Sequence, residues 1–188
     1  MADTTDFRNG FTMMWNSDLW QIVEFQHVKP GKGGAFVRTK LKNVRNGRVV
    51  DNTFRAGEKV KEARVERREH QYLYKDDLGL HFMNTETYAQ FSLPPEQIEK
   101  RAFLKEGGLL DILFHAETEE PLRAEISKSV ELEVVKTDPG LKGDTATGAT
   151  KPATLESGAV VHVPLFVDEG DVIRVNTDTG DYITRVST

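Results

Sequence analysis

The sequence predicts an all-β protein made of three small β-barrel domains, and three observations carry that reading. Apolar residues alternate with polar ones in short runs along the 188-residue chain, the spacing of half-buried strands. Clusters of Gly, Pro, Asn and Asp separate the runs and favour tight turns. Charge also changes sign along the chain: residues 1–64 hold 12 Lys/Arg against 7 Asp/Glu, whereas residues 65–188 hold 13 against 23. The expected domains are therefore 1–64, 65–127 and 128–188, each near the lower size that folds without disulfides or metals.

In the first segment, Leu19-Trp20-Gln21-Ile22-Val23-Glu24-Phe25 reads as a buried strand with Trp20 in the core. Lys32 follows in the run Lys29-Pro30-Gly31-Lys32-Gly33-Gly34. Pro30 presets a turn, and Gly31, Gly33 and Gly34 permit positive φ while leaving the backbone uncovered. In the next strand, alternation sends Val37, Thr39 and Leu41 to one face and Arg38, Lys40 and Lys42 to the other. Asn46-Gly47 predicts a two-residue hairpin turn, and Val49-Val50 begins the returning strand. From Phe25 to Val50 there is no acidic residue but seven Lys or Arg. Such a segment in an otherwise acidic chain points to a polyanion, most simply RNA, met by Lys29, Arg38, Lys40 and Lys42. A solvated basic face around an idle hairpin tip is the alternative.

The second segment offers strands at Gln71–Tyr74 and Leu80–Met83 across a turn at 75–79. A short helix is expected from Pro94, then a strand at Leu109–Phe114. Five strands with one short helix is the OB-fold pattern. The third segment has an alternating strand at Val130–Val135, strands at 160–167 and 171–175, and a turn at Thr179-Gly180-Asp181. Between them lies the long Gly/Thr-rich connection 139–148, where Lys142 is the candidate for a point contact with RNA. Asn84-Thr85-Glu86-Thr87 and Asn176-Thr177-Asp178-Thr179 echo one another and suggest two related barrels.

Several chemistries lack their residues. With no cysteine there is neither disulfide nor thiolate, and His27, His70, His81, His115 and His162 are scattered without metal-ligand spacing. The Gly-Lys run lacks the GxxxxGK[ST] spacing of a phosphate loop. Neither catalytic residues, nor a metal, nor a cofactor is expected. The N-terminus has no apolar targeting region and no stretch is long enough to span a bilayer, so a soluble, cytoplasmic protein is expected.

Taken in order, the segments Trp20–His27 leading into Pro30-Gly31-Lys32-Gly33, Thr53–Lys59, Gln71–Tyr74, 139–145, and the run from Lys151 through Pro152-Ala153-Thr154-Leu155-Glu156-Ser157-Gly158 to Val163-Pro164 and Gly170 resemble the bacterial elongation factor P family along the whole chain. That family is related to the hypusine-containing translation factor of eukaryotes and archaea. The resemblance implies an SH3-like (KOW-type) barrel followed by two OB-folds, arranged as an L of transfer-RNA shape. It implies a monomer that binds the 70S ribosome between the peptidyl and exit sites, touching ribosomal RNA and the acceptor end of peptidyl-tRNA. Lys32 would reach the peptidyl transferase centre, extended in many members by a lysine-modifying enzyme, and relieve stalls at consecutive prolines. Pro139, Gly140, Lys142, Gly143, Asp144 and Thr145 would lie near the exit-site messenger and the small subunit. The competing expectations are a general RNA-binding β-barrel module and, with less support, an enzyme on the same barrels.

Overall fold

The computed structural model describes residues 1–140 and 148–186. Its contacts divide into two compact units, Met1–Arg68 with Ile112–Ala124 and Glu69–Asp111 with Glu125–Thr188. The first sheet holds β1 (Ala2–Asp3), β2 (Thr12–Trp15), β3 (Asp18–Val28), β4 (Phe36–Asn43), β5 (Val49–Arg55) and β6 (Lys59–Glu62), ordered β1-β6-β2-β3-β4-β5. Its neighbours pair antiparallel. The alternation expected in β4 holds: Val37, Thr39 and Leu41 point inward, Arg38 and Lys40 outward, and Lys42 is half-buried. Val37 and Leu41 pack with Phe7, Phe11, Met13, Ile22 and Phe54. Removing each aliphatic side chain from water contributes about 1.5–3 kcal/mol.

The buried strand expected over Leu19–Phe25 is only half buried. Leu19 and Trp20 face different clusters: Trp20 joins the core above, whereas Leu19 packs with Val44, Ala63, Leu113 and Leu122. After Ile22 the pairing register skips a residue, so that Glu24 lies opposite Lys40 and Val23 is left exposed. A bulge of this kind exchanges the inward and outward sets of a strand. Beyond it Phe25 is only partly buried, and β3 changes from a core strand into one wall of a projecting hairpin.

The second sheet consists of β7 (Val65–Asp76), β8 (Gly79–Asn84), β9 (Gln90–Leu93), β10 (Leu109–His115) and β11 (Glu120–Glu125), ordered β11-β10-β7-β8-β9. The third consists of β12 (Ser129–Thr137), β13 (Thr150–Leu155), β14 (Val160–Pro164), β15 (Val172–Asn176) and β16 (Tyr182–Arg185), ordered β14-β13-β12-β15-β16. Both follow one plan. The first strand is central, the second and third lie on one side, and the fourth and fifth on the other. In the third sheet the edge strands β14 and β16 approach each other, curling it towards a barrel. Its core is almost wholly aliphatic, with Leu132, Val134, Leu155, Val163, Ile173 and Val175 buried, and Phe103 packs against it.

Local outcomes differ from the sequence reading where backbone hydrogen bonding prevails. The strand expected at Gln71–Tyr74 runs over Val65–Asp76, leaving Asp77-Leu78 as the connection to β8. The helix expected from Pro94 is two 3-10 turns, Pro95–Gln97 and Arg101–Phe103. Ile98 ends the first in an extended conformation and is buried, so the chain cannot wind onward there. The strand expected over 160–167 stops at Pro164.

Asn46-Gly47 is not a two-residue turn. Asn43 instead organises the connection: its Oδ1 accepts from the amides of Arg45 (2.9 Å) and Asn46 (3.0 Å), and its carbonyl accepts from Gly47. Asn84 and Asn176 repeat the pattern. Asn84 Oδ1 accepts from Glu86 and Thr87, Asn176 Oδ1 from Asp178 and Thr179, and the fourth residue onward has positive φ in all three loops. The short Asn side chain mimics a backbone turn. The echo between 84–87 and 176–179 is therefore one of turn chemistry, since Asn84 joins β8 to β9 whereas Asn176 joins β15 to β16. In strand order the counterpart of the Asn176 loop is the turn after His115, whose carbonyl accepts from Glu119 N (2.9 Å). Kinship of the two sheets is carried by their common strand order.

Candidate functional site

The pairing of β3 with β4 ends at Val28 opposite Phe36, and the chain between them forms a loop of residues 29–35 in which Ala35 is half-buried. A loop of that length reaches roughly 10 Å beyond its last pair. Phe36 also pairs with Arg55, and the Ala35 carbonyl accepts from Ala56 N at 3.0 Å, so the base of the loop is held on both sides. Lys29, Pro30, Gly31, Lys32, Gly33 and Gly34 are all exposed. Lys32 is thus carried at the far end of a hairpin anchored in the first core.

The three glycines differ in what the chain demands of them. Gly33 has φ +108, which side chains rarely adopt. Gly31 and Gly34 do not use positive φ, and a Cβ built on either meets nothing within 4 Å. The fold requires only Gly33 here. Any need for bare backbone at Gly31 and Gly34 comes from outside the chain.

Below the tip, β3, β4 and β5 form a shallow cavity of about 360 Å³ lined by Glu24, Gln26, Arg38, Lys40, Asp51 and Thr53, among others. Arg38 and Lys40 are among its lining residues, but the acid-free stretch of sequence is not acid-free in space. Pair register sets Lys40 between Glu24 and Asp51, and Lys40 Nζ lies 3.3 Å from Glu24 Oε2. Arg38 lies over the Phe36 ring. Arg45 is engaged further: both terminal nitrogens bond Glu120 (2.7 and 2.9 Å) and its Nε lies 3.4 Å from Asp18. Glu120 raises the Arg45 guanidinium above its ordinary value, and Arg45 in turn holds Glu120 below the ordinary 4.5. At the tip itself Lys29 and Lys32 are both exposed.

The second candidate region lies in the third sheet. Pro139 and Gly140 are exposed and half-buried respectively, while Lys142, Gly143, Asp144 and Thr145 lie outside the described residues. Gly140 is pressed against the chain after β14: a Cβ there would come within 2.5 Å of the Leu165 carbonyl oxygen. Sequence reasoning attached no separate role to Lys151, which is among the buried polar residues and donates from Nζ to the Asp138 carbonyl at 2.6 Å. Its signal was readable. Lys151, Ala153 and Leu155 alternate along β13 and share the inward face.

The histidines have separate surroundings. His27 meets Phe25 edge to face, His70 meets Phe91, His81 Nε2 lies 2.9 Å from Asp76 and His115 Nδ1 lies 2.7 Å from Thr118. His162 is exposed on β14. Among the described residues no three His, Asp or Glu side chains group as metal ligands, and no helix is long and apolar enough to cross a membrane.

Three family models cover nearly the whole chain: the elongation factor P KOW-like domain over residues 3–60, the elongation factor P OB domain over 65–122, and the elongation factor P C-terminal domain over 130–185. Elongation factor P of Salinibacter ruber is 69% identical over 187 residues, covering 100% of this chain and 97% of the relative. Elongation factor P of Moorella thermoacetica is 56% identical, covering 98% of this chain and 100% of the relative. A solved structure described as eukaryotic translation initiation factor 5A from Methanococcus jannaschii aligns at 24% identity with a TM-score of 0.49, covering 65% of this chain and 94% of that one.

Proposed function

Since this chain belongs to the elongation factor P family, and so is a translation elongation factor, we propose that it binds the 70S ribosome between the peptidyl and exit sites and speeds peptide-bond formation at consecutive prolines. The observation that carries the reading is Lys32, alone at the end of a glycine-flanked loop that the first core holds out into solvent. A slender cationic arm suits a crowded cavity walled by RNA phosphates, where a side chain on Gly31 or Gly34 would meet the wall. The arm acts by positioning. A misaligned peptidyl-tRNA acceptor end reacts slowly because productive geometries are rare, and restricting it removes part of that entropic barrier without a protein acid or base. The ribosome supplies the catalysis.

In this reading the domains are 1–64, 65–127 and 128–188. Lys29, Arg38, Lys40 and Lys42 meet ribosomal RNA or peptidyl-tRNA. The 139–145 connection meets the exit-site messenger and the small subunit. A modifying enzyme extends Lys32, giving it a reach that the few bonds of a bare lysine lack. The factor works as a cytoplasmic monomer. The test is synthesis of a Pro-Pro-Pro reporter in a reconstituted translation system, with rescue expected from the protein and lost in Lys32→Ala. No rescue by the unaltered protein, or equal rescue by the variant, would refute the proposal.

A further inference from the structure

Two asparagines of this chain precede glycine, Asn9 and Asn46, and both are exposed. An asparagine in that position is prone to lose its side-chain amide, because the next residue has no Cβ to hinder attack by its own backbone nitrogen. That nitrogen gives up its proton and bonds to the asparagine Cγ, and the Cγ–Nδ2 bond breaks with release of ammonia. Water then opens the cyclic imide at either carbonyl. One product is aspartate; the other is isoaspartate, in which the main chain runs through Cγ. The reaction needs a glycine N–H free of hydrogen bonds and a backbone able to bring it onto Cγ.

Both glycine amides are engaged in the folded chain, but by different structures. Gly10 N donates to the Ile22 carbonyl at 2.7 Å, and Ile22 N donates back to the Phe11 carbonyl at 2.8 Å. Ile22 and Phe11 are buried in the first core, so freeing Gly10 means parting this segment from β3 across that core. Gly47 N donates at 3.0 Å to the Asn43 carbonyl, within its own loop. Asn46 N donates to Asn43 Oδ1 at 3.0 Å, and Arg48 N to Asn46 Oδ1 at 3.0 Å, which holds the side chain that must swing onto Gly47 N. All these bonds close within residues 43–48. Opening them leaves the β4–β5 pairing, which ends at Lys42 opposite Val49, in place. Proteins open locally at far lower cost than they unfold, and a reaction confined to the open form runs in proportion to its population.

We infer that Asn46 is a site of spontaneous deamidation in the folded protein, and that Asn43 is the residue that restrains it. Asn43 is buried and its Nδ2 donates to Asp18 Oδ2 at 2.7 Å, so the side chain that organises the loop is itself fixed. Asn9 is protected more strongly, because its glycine amide is held by a core strand. Conversion of Asn46 places a carboxylate next to Arg45 in the segment 25–50, which has no acid of its own. The isoaspartyl product also adds a methylene to the main chain between Asn43 and Gly47, and the spacing that lets Gly47 N reach the Asn43 carbonyl is lost.

The experiment incubates the full chain at mildly alkaline pH and follows the peptides around Asn9 and Asn46 by mass spectrometry, with isoaspartate counted by enzymatic methylation. The same chain unfolded in urea supplies the intrinsic rate of each site, and the ratio of unfolded to folded rate is that site's protection. Protection at Asn46 is expected to be at least about tenfold weaker than at Asn9, as local opening is easier than opening through the core. Asn43→Ala removes the side-chain acceptor of two loop amides and should quicken conversion at Asn46 about 5–30-fold, with Asn9 unchanged. Asn46→Ser should abolish the signal in its own peptide. Protection at Asn46 equal to that at Asn9, or stronger, overturns the site. An unchanged rate at Asn46 in Asn43→Ala overturns the restraint, and so does equal acceleration at both sites, which is the mark of global destabilisation. Should Asn43→Ala not fold, amide hydrogen exchange in the unaltered chain decides the restraint. The Asn46 and Gly47 amides both bond to Asn43 and should open together, ahead of Gly10, and independent opening overturns it.

Discussion

Replacing Tyr88 by glycine is expected to stabilise the protein, although it deletes an aromatic ring. Tyr88 N donates to the Asn84 carbonyl at 3.0 Å, just as Gly47 N does to Asn43 and Gly180 N to Asn176. These three residues have φ of 60, 72 and 78. The geometry is common to the loops and only the middle one builds it on a residue with a side chain. An L-residue in that conformation costs about 1–2 kcal/mol. Against this, glycine adds freedom to the unfolded chain worth about 0.4–1 kcal/mol. The ring is 70% exposed, so little burial is lost. The net gain for Tyr88→Gly is about 0.5–1 kcal/mol, raising Tm by about 1–4 °C for a chain of this size. Differential scanning calorimetry can assign the shift to one transition if the barrels melt separately. The converse variant, Gly180→Tyr, should lower Tm by a similar amount. A lower Tm for Tyr88→Gly would refute the reasoning and show that the ring makes contacts worth more than its strain.

Other outcomes follow from the same structure. Gly31→Ala and Gly34→Ala should leave stability within about 0.5 kcal/mol of the parent yet weaken proline-stall rescue, whereas Gly33→Ala should also strain the loop; equal rescue by the first two would show that no wall lies near them. Asn43→Ala removes the acceptor of the Arg45 and Asn46 amides and should cost about 1–2 kcal/mol in chemical denaturation, because those donors lose their partner inside a partly buried loop. Glu119 and Glu120 are held below 4.5 by Arg68 and Arg45 respectively. Their contribution is therefore complete above about pH 4.5 and is lost as pH falls through the lowered folded values. The doubly altered Glu119→Gln, Glu120→Gln protein should show a smaller fall in Tm between pH 6 and pH 3 than the parent, and an equal fall would contradict this. A general RNA-binding barrel would bind free single strands with a log-log salt slope of about −0.7 per phosphate contact; this chain, with Lys40 and Arg45 paired, should show a shallow slope in filter binding.

Much of the architecture was legible because strand alternation and turn residues are local signals. In β4, Val37, Thr39 and Leu41 separate from Arg38 and Lys40 as period two requires. The tip was legible for the same reason, since Pro30 and three glycines around one lysine define a turn without reference to the rest of the chain. Where partners are distant in sequence, the reading failed. No local pattern announces that the register after Ile22 skips a residue, and that skip leaves Val23 exposed and brings Glu24 opposite Lys40. Glu120 is 75 residues from Arg45, so the ion pair that offsets part of the basic stretch is invisible to a window of charges.

The sequence by itself determined the all-β class, the exposed lysine arm and the family, because each depends on residue identity at short spacing or on matches along the whole chain. Tertiary structure alone decided which charges remain available and which lysine is structural. Lys32 and Lys151 both stand in runs containing proline and glycine, and composition cannot tell them apart. One sits exposed where the chain leaves its sheet; the other lies on the inward face of β13, with the Asp138 carbonyl within hydrogen-bond reach. Burial and the position of a partner's oxygen are properties of packing, and they exist only once the strands have paired.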